Sequence, residues 1–516
     1  MSTGGIFQLI SNDGKQDKML MATELLNERL AKCSRDQREK GEDPLPKLRD
    51  IEKTHVLFMH AHYKPFVAVG YEYNKVQSGA GQTTLGSTLQ FSIPQFGDFF
   101  HDMVFHVVLS APSLTKAGGS IEPSGRWANF LGERLCEKVA FKVNGNPLDD
   151  YTYDAYNFHR EFHVPDHKKR GWYRCVGQEV PYNGFLKQQL GSMSNTPDNY
   201  RFNLPAHMGP QTPTGTMSSV EMFVPLIFWC NKDPRLSVPS VAIPYGQRFV
   251  EITLAAKTNL CSIDARGGTA GPTLGDVSVT TAELYINNIF VNPEVHRIFM
   301  KRIGFTMIRV HRTQTMVLNK DTDDVLLKRL KWPIEHMFVG VRRTSYATVM
   351  DKWNLFSYIN TSTKDLQNVA AYYEDDGSTA LTTLGNIDFP RVDVDIPYRT
   401  LATMDIKAHG ISLYNNFPAA FFGDYIPYHY GGQNISTPED RGAMMVNFCL
   451  MPGSYQPSGH LNLSRAREFY LKYTTNTDES SNNIVSSSNT GTLVVVASAI
   501  NFLLISDGSA TLRYTT

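Results

Sequence analysis

Cysteine is scarce in this chain, with six among 516 residues: Cys33, Cys136, Cys175, Cys230, Cys261 and Cys449. They lie far apart and never as CxxC, which argues against paired zinc ligands and against a disulfide framework, and for free thiols in a reducing compartment. Tryptophan is rarer still, with five scattered copies, too few for the aromatic platforms of a carbohydrate-binding surface. Neither sign of charge is in excess: Lys plus Arg and Asp plus Glu are 50 each. There is therefore no global basic field to hold nucleic acid by counterion release, and a net charge near zero favours self-association. Long apolar runs are missing too. The longest, around Leu493–Ile505, is cut by Ser498 and Asn501, short of the ~18–20 residues of a membrane span. The N-terminus has no apolar h-region, so no secretory signal is expected. The sequons at Asn360, Asn434 and Asn462 are then expected to stay unused.

What is present is mostly β-pattern. Val139, Phe141 and Val143 alternate with polar or small residues and lead into Asn144–Gly145, a strong hairpin signal. Val250, Ile252 and Leu254 alternate in the same way, as do Thr306, Ile308 and Val310. TLVVVASAINFLL, near the C-terminus, is nearly continuous, as in a strand buried on both faces. Short strands separated by Gly, Pro, Asn and Asp turns predict antiparallel sandwiches. The first ~50 residues differ: Met19, Ala22, Leu26 and Leu30 recur at helical spacing among charged residues, the pattern of an amphipathic arm or of a helix packed on its own domain. In the middle, Asn292, Pro293 and Glu294 read as the start of a short helix to about Arg302. It divides the chain into β-rich pieces of similar size. No repeat links them, so periodicity alone predicts two sandwiches, not two copies of one fold.

Residues with chemical potential are few. The chain contains no P-loop, G-x-S-x-G, HExxH or G-x-G-x-x-G. His55, His60 and His62 are the densest histidine group, but no Cys or carboxylate lies nearby at ligand spacing. His101 and His106 flank Asp102, yet strand alternation puts those histidines on opposite faces. Asp321, Asp323 and Asp324 resemble the start of a calcium loop without its Gly and distant Glu, and Glu374–Gly377 reads as an exposed acidic turn. Lys168–Arg170 beside Trp172 and Tyr173 is a small basic–aromatic patch, expected in a subunit contact or a solvated loop. Arg465 and Arg467 would share one face of a strand, suited to carboxylate pairing. These readings assign no catalytic, cofactor-binding or metal residue.

Particular stretches carry a resemblance. YQPSGHLNLSRAREFYLKY (Tyr455–Tyr473), followed by TLVVVASAINFLLISDGSATLRYTT to the end, is similar to a signature of the major capsid proteins of large icosahedral double-stranded DNA viruses. STGGIFQL (Ser2–Leu9), NDGKQD (Asn12–Asp17), PLIFWCNKDPRLSVPSVAI (Pro225–Ile243) and ELYINNIFVNPEVHRIFMKR (Glu283–Arg302) resemble other parts of the same proteins. Gly70–Lys75, Gly97–Val104, Leu330–Glu335, Tyr430–Gly432, Gly442–Met445 and Gln456–Tyr470 follow the asfarvirus-type members. The similarity runs from about Thr3 to Thr516 and lapses at Pro112–Trp127, Asn183–Ser218 and roughly Val341–Pro390. Cys230 stands where the broader family usually has an aromatic residue.

The resemblance implies an all-β double jelly roll, two antiparallel eight-stranded β-sandwiches with a short N-terminal helical arm. The expected organisation is an arm over residues 1–50, a first roll over 51–292, a linker helix over 293–302 and a second roll over 303–516. It implies a non-enzymatic shell protein without cofactors, whose homotrimers form pseudo-hexameric capsomers and tile an icosahedral shell. Expected partners are neighbouring capsomers, penton and minor capsid proteins, inner-membrane-associated viral proteins and a viral folding chaperone, with no direct nucleic acid. Assembly is expected in the host cytoplasm. The segments where the similarity lapses are expected to be outward loops. The rival reading is a large β-sandwich carbohydrate-binding protein or glycosidase.

Overall fold

The computed structural model describes residues 69–79, 83–115, 124–178, 182–187, 201–206, 215–243, 247–264, 273–291, 293, 304–365, 391–464, 468–478, 482–506 and 509–514, with the backbone alone at 69, 182–187, 201–206, 264, 361–365, 391–396 and 506. The arm over residues 1–50 and the linker helix beyond Pro293 lie outside them, as do His55, His60, His62, Glu374–Gly377, Arg465 and Arg467.

Alternation and turn chemistry place the strands. The first half holds β1 (Val69–Gln77), β2 (Thr88–Ser92), β3 (Phe99–Leu109), β4 (Cys136–Val143), β5 (Asn146–Thr152), β6 (Val220–Pro225), β7 (Arg248–Leu254) and β8 (Val279–Val291). They form two antiparallel sheets, in the orders β1-β8-β3-β6 and β2-β7-β4-β5. The second half holds β9 (Gly304–Leu318), β10 (Thr322–Leu326), β11 (Pro333–Arg343), β12 (Leu401–Ala408), β13 (Ile411–Pro418), β14 (Met444–Asn447), β15 (Phe469–Thr475) and β16 (Gly491–Ser506). Their orders are β9-β16-β11-β14 and β10-β15-β12-β13. Counted within its own half, each sandwich therefore has the same winding, that of a jelly roll. The fold is a double jelly roll. This is the double jelly roll that the resemblance implied, where periodicity alone reached only two sandwiches. Strand order follows from pairing and burial, which many apolar–polar alternations satisfy, so one topology needs no visible repeat.

Asn144–Gly145 forms the β4–β5 turn, both residues with positive φ (51° and 79°), as an Asn-Gly hairpin requires. The second roll makes the equivalent β12–β13 turn with His409–Gly410, at 54° and 76°. Between the first roll's sheets, Phe91 meets Phe105 and Phe100 meets Phe141 edge-on, with centroids 5.8 and 6.0 Å apart. β7 alternates buried and half-buried positions throughout, while β16 is buried on both faces over most of its length.

Two helices follow β5: α1 (Tyr153–Phe162) and α2 (Asp166–Cys175). Two of the three divergent segments lie between strands of the sandwich: Pro112–Trp127 between β3 and β4, and Asn183–Ser218 before β6. The third requires a correction. Val341–Arg343 belongs to β11, and Tyr346, Met350, Trp353 and Phe356 beyond it are buried. Large apolar side chains anchor that stretch in the core, so it is not a free loop.

The five described cysteines are free. Cys136, Cys230, Cys261 and Cys449 are buried, and burial raises each thiol, Cys261 and Cys449 to about 11. Cys175 is half-buried. Native thiol labelling is expected to modify Cys175 well before these four, because the reactive species is the accessible thiolate. Equal labelling rates under native conditions would contradict this packing.

Candidate assembly interface

The sequence of α1 is apolar on more than one side, and the fold uses each side. Tyr156 donates a hydrogen bond to the Pro225 carbonyl of its own roll (3.1 Å). Phe158 and Phe162 face the second roll: Phe158 stacks on Phe356 (centroids 4.6 Å) and Phe162 on Phe338 (4.4 Å). α1 thus runs along a seam between the rolls. Near its start, buried Arg342 donates to Asp154 (2.9 Å) and to the Trp353 carbonyl (2.9 Å). Burial opposes the guanidinium's charge, and Asp154 and Tyr153 together more than offset it. Near its end, Glu161 accepts the backbone N–H groups of Glu439 (2.9 Å) and Asp440 (3.1 Å). Burial, and then Glu161, raise the Asp440 carboxyl to about 6.

Further bonds cross the seam. His311 of β9 meets Asp149 of β5 through its backbone N–H (2.8 Å) and Nδ1 (2.9 Å). The Trp353 indole donates to the Asn129 carbonyl (2.7 Å), tying the β11–β12 connection to the β3–β4 connection. Lys169 of α2 reaches Glu439 (2.8 Å), and Trp172 turns inward to Glu133 (2.7 Å). Of the basic–aromatic patch, Lys169 and Trp172 are thus drawn into the seam from a helix, while Lys168 and Arg170 stay exposed. The other candidates are placed as local contacts. His101 bonds to the Cys230 carbonyl (2.6 Å) and His106 to Glu221 (2.8 Å). A register shift in the β3–β8 pairing between them breaks the strand alternation, so both lie on the face away from buried Phe100, Phe105 and Val107, which corrects the opposite-face expectation. Asp323 pairs with Lys320 (3.2 Å). Among the described residues no group of three His, Cys, Asp or Glu could hold a metal ion.

The seam joins particular parts of each roll: β5 and α1 of the first, and the outer face of β9, β11 and β16 of the second. Each part has a counterpart on the other roll, and those counterparts are exposed. β11 is buried at nearly every position because α1 covers its outer face, whereas β3 is half-open on that face. β5 is buried at Leu148, Asp149 and Tyr151, whereas β13 exposes Ile411 (67 %), Leu413 and Phe417. After β13 comes a π-turn, Phe421–Tyr425, and a short helix, Ile426–Tyr430, exposing Tyr425 and Tyr428 (79 %). On the first roll, β1 exposes Tyr71 (70 %) and Tyr73 (59 %), and Phe223 is exposed on β6 at the far edge of the same sheet. Two aromatic faces of this size on one chain mark interaction surfaces.

Fold and faces together define a shell-forming viral protein of the double jelly-roll class. Residues 68–292 match the family model described as major capsid protein N-terminus, and 289–511 match that of the large eukaryotic DNA virus major capsid protein. The chain is 35% identical to the hexon protein p72 of African swine fever virus (isolate Tick/Malawi/Lil 20-1/1983), over 100% of both chains. The Faustovirus major capsid protein structure superposes with a TM-score of 0.71 at 34% identity, covering 96% of this chain and 100% of that one. A capsid protein of PBCV-1 shares the fold, with a TM-score of 0.59 at 18% identity over 88% of this chain and 98% of that one. The chain belongs to the major capsid proteins of large eukaryotic DNA viruses, and its place is the virion capsid. It is a structural protein that self-assembles, and the asfarvirus-type resemblance holds over its full length.

The sequence did not reveal the seam residues. Arg342, Asp154, Phe158 and Phe338 lie in segments without a motif, and only their meeting gives them a role. Tyr71 and Tyr73, two large aromatics at alternate positions of a strand, were a usable signal.

Proposed function

We propose that three copies close head to tail into a pseudo-hexameric capsomer. One observation carries this reading: the second roll offers an uncovered β13 and its following helix, and the first roll an uncovered β1 and outer sheet face. Their counterparts are already joined within the chain. A contact of the same kind between chains is heterologous, and closes into a ring when its rotation permits. Six rolls alternating inner and inter-chain seams then give a six-fold-like outline from a three-fold assembly, which can tile flat facets. Obligate interfaces commonly bury more than roughly 2,000 Å², and the aromatic faces supply apolar area for one.

On this reading residues 1–50 form an arm, 51–292 and 303–516 the two rolls, and 293–302 a linker helix. Finer partners come from the resemblance: neighbouring capsomers, penton and minor capsid proteins, inner-membrane-associated viral proteins and a folding chaperone, with assembly in the host cytoplasm. The role needs no catalytic residue, cofactor or metal. The divergent connections are taken to face outward.

Sedimentation of the purified chain is expected to give trimers at micromolar concentration. Ile411→Asp with Tyr428→Asp, or Tyr71→Asp with Tyr73→Asp, should each give folded monomers. Mixing the two double variants should not restore closed trimers, since each face is needed in every contact of the ring. Wild-type monomers at that concentration, or trimers from both variants, would defeat the reading.

A further inference from the structure

Beside the C-terminal half of α1 the seam does not close. A cavity of about 360 Å³ opens there, lined by His159 and His163, by Lys232 from the β6–β7 connection, and by Arg309, His336 and Ser498 of the second roll. A space of about 30 Å³ adjoins it against the same histidines and lysine. The imidazoles of His159 and His163 stack with centroids 5.2 Å apart, and His336 lies 6.4 Å beyond His163.

Charge around this cavity does not balance. Glu335 takes up Arg309, Asp149 takes up His311, and Asp233 takes up Arg235. Lys232 makes no hydrogen bond or ion pair with a described residue, and Asp149, already bonded to His311, acts on it only at longer range. It keeps accessible surface because it faces open space, not packed side chains. The Nδ1 atoms of His159, His163 and His336 are buried without a partner, and His336 is only 2% exposed. Buried polar nitrogens almost always have partners, and Lys232, exposed to the open cavity, sets a positive charge beside them. A metal would leave Lys232 and Arg309 facing another cation. We propose that the cavity is a binding site for a phosphate-type oxyanion, held by Lys232 and Arg309 with donors from the three histidines and Ser498.

The titration of these groups agrees. Burial, and then Lys232, hold His159 and His163 well below the usual imidazole range, and the same causes with Arg309 and His311 bring His336 to about 3. Burial lowers Lys232 to about 8, with Asp149 pulling against it and Arg309 adding to the loss. A bound anion opposes each of these shifts. Binding therefore takes up protons and tightens as pH falls, and it fades above about 8, where Lys232 loses its charge.

The test is calorimetric titration of the full-length protein with inorganic phosphate at constant ionic strength, at about pH 6.5, 7.5 and 9. Affinity should rise at least about tenfold from the highest pH to the lowest. Lys232→Gln should weaken binding by about tenfold or more at pH 6.5, while Lys138→Gln, on the exposed face of β4, should not. Lys232→Arg should keep binding and extend it to pH 9, because a guanidinium does not titrate there. Inorganic triphosphate run in parallel distinguishes sources: much tighter binding assigns a polyphosphate chain, similar binding a single phosphoryl group, and both support the site. Absence of binding by either anion at pH 6.5 would overturn the proposal, as would Lys232→Gln binding like the wild type. Should Lys232→Gln fail to fold, Lys232→Arg carries the test, and loss of its binding at pH 9 would count against the site.

Discussion

Acidification from about pH 7 to pH 5 is expected to destabilise the seam, and His336→Leu to remove part of that loss. The imidazoles of His159, His163 and His336 have folded pKa values below their unfolded value, with His336 at about 3. Such groups bind protons on unfolding. Their contribution to stability is complete above the unfolded value and is lost as pH falls below it toward the folded value. At pH 5 each could cost up to roughly 2 kcal/mol, from about 1.4 kcal/mol per pKa unit. Asp440 works the other way: its folded value of about 6 lies above the ordinary carboxyl, so it gains stability as pH falls through that window. Burial raises Glu133 as well. The clean measurement is therefore a difference, the melting temperature of His336→Leu minus that of wild type as a function of pH. It should move in the variant's favour on acidification. A difference that stays flat from pH 7 to 5 would show that His336 does not titrate with folding.

Asp154→Ala should be more damaging than any surface substitution. It strands the Arg342 guanidinium in the seam, 3% exposed, with the Trp353 carbonyl and the Tyr153 hydroxyl as its remaining partners. Removing one member of a buried pair typically costs about 3–5 kcal/mol, a midpoint shift of about 3–5 °C for a chain of this size. Replacing both residues, Asp154→Leu with Arg342→Met, should recover most of the loss, because the penalty lies in the unpaired charge and not in the missing attraction. Denaturant melts of the single and double variants provide the comparison. A single variant within about 1 kcal/mol of wild type would mean that solvent reaches Arg342.

The sequence shows where strands lie better than it shows what joins them. Alternation at Val139–Val143 and Val250–Leu254 marks strands because one face meets the core at every second residue. Asn144–Gly145 is legible because its side chains tolerate positive φ, whereas His409–Gly410 makes the equivalent turn with a less typical first residue. α1 is hard to place for a physical reason: its polar residues Asp154, Asn157, Arg160 and Glu161 are buried as well as Tyr156, Phe158 and Phe162, so its polar side does not mark solvent. The histidine-lined cavity is hidden differently. Its lining comes from α1, the β6–β7 connection, β9, β11 and β16, segments with no shared motif. The family signature at Tyr455–Tyr473 was readable as a string, but its reach into assembly was not. What assembles is a surface left uncovered, and exposure is a property of the fold.

The covalent link between the rolls has a kinetic consequence. Inside one chain, the seam forms at the high effective concentration of tethered partners, whatever the amount of protein in the cell. In a closed ring of such chains half of the roll-to-roll contacts would thus be made during folding, before any encounter. Ring growth then depends on a lower power of concentration than it would for separate single rolls. A dilute pool of subunits could complete rings where unlinked halves would stall as fragments.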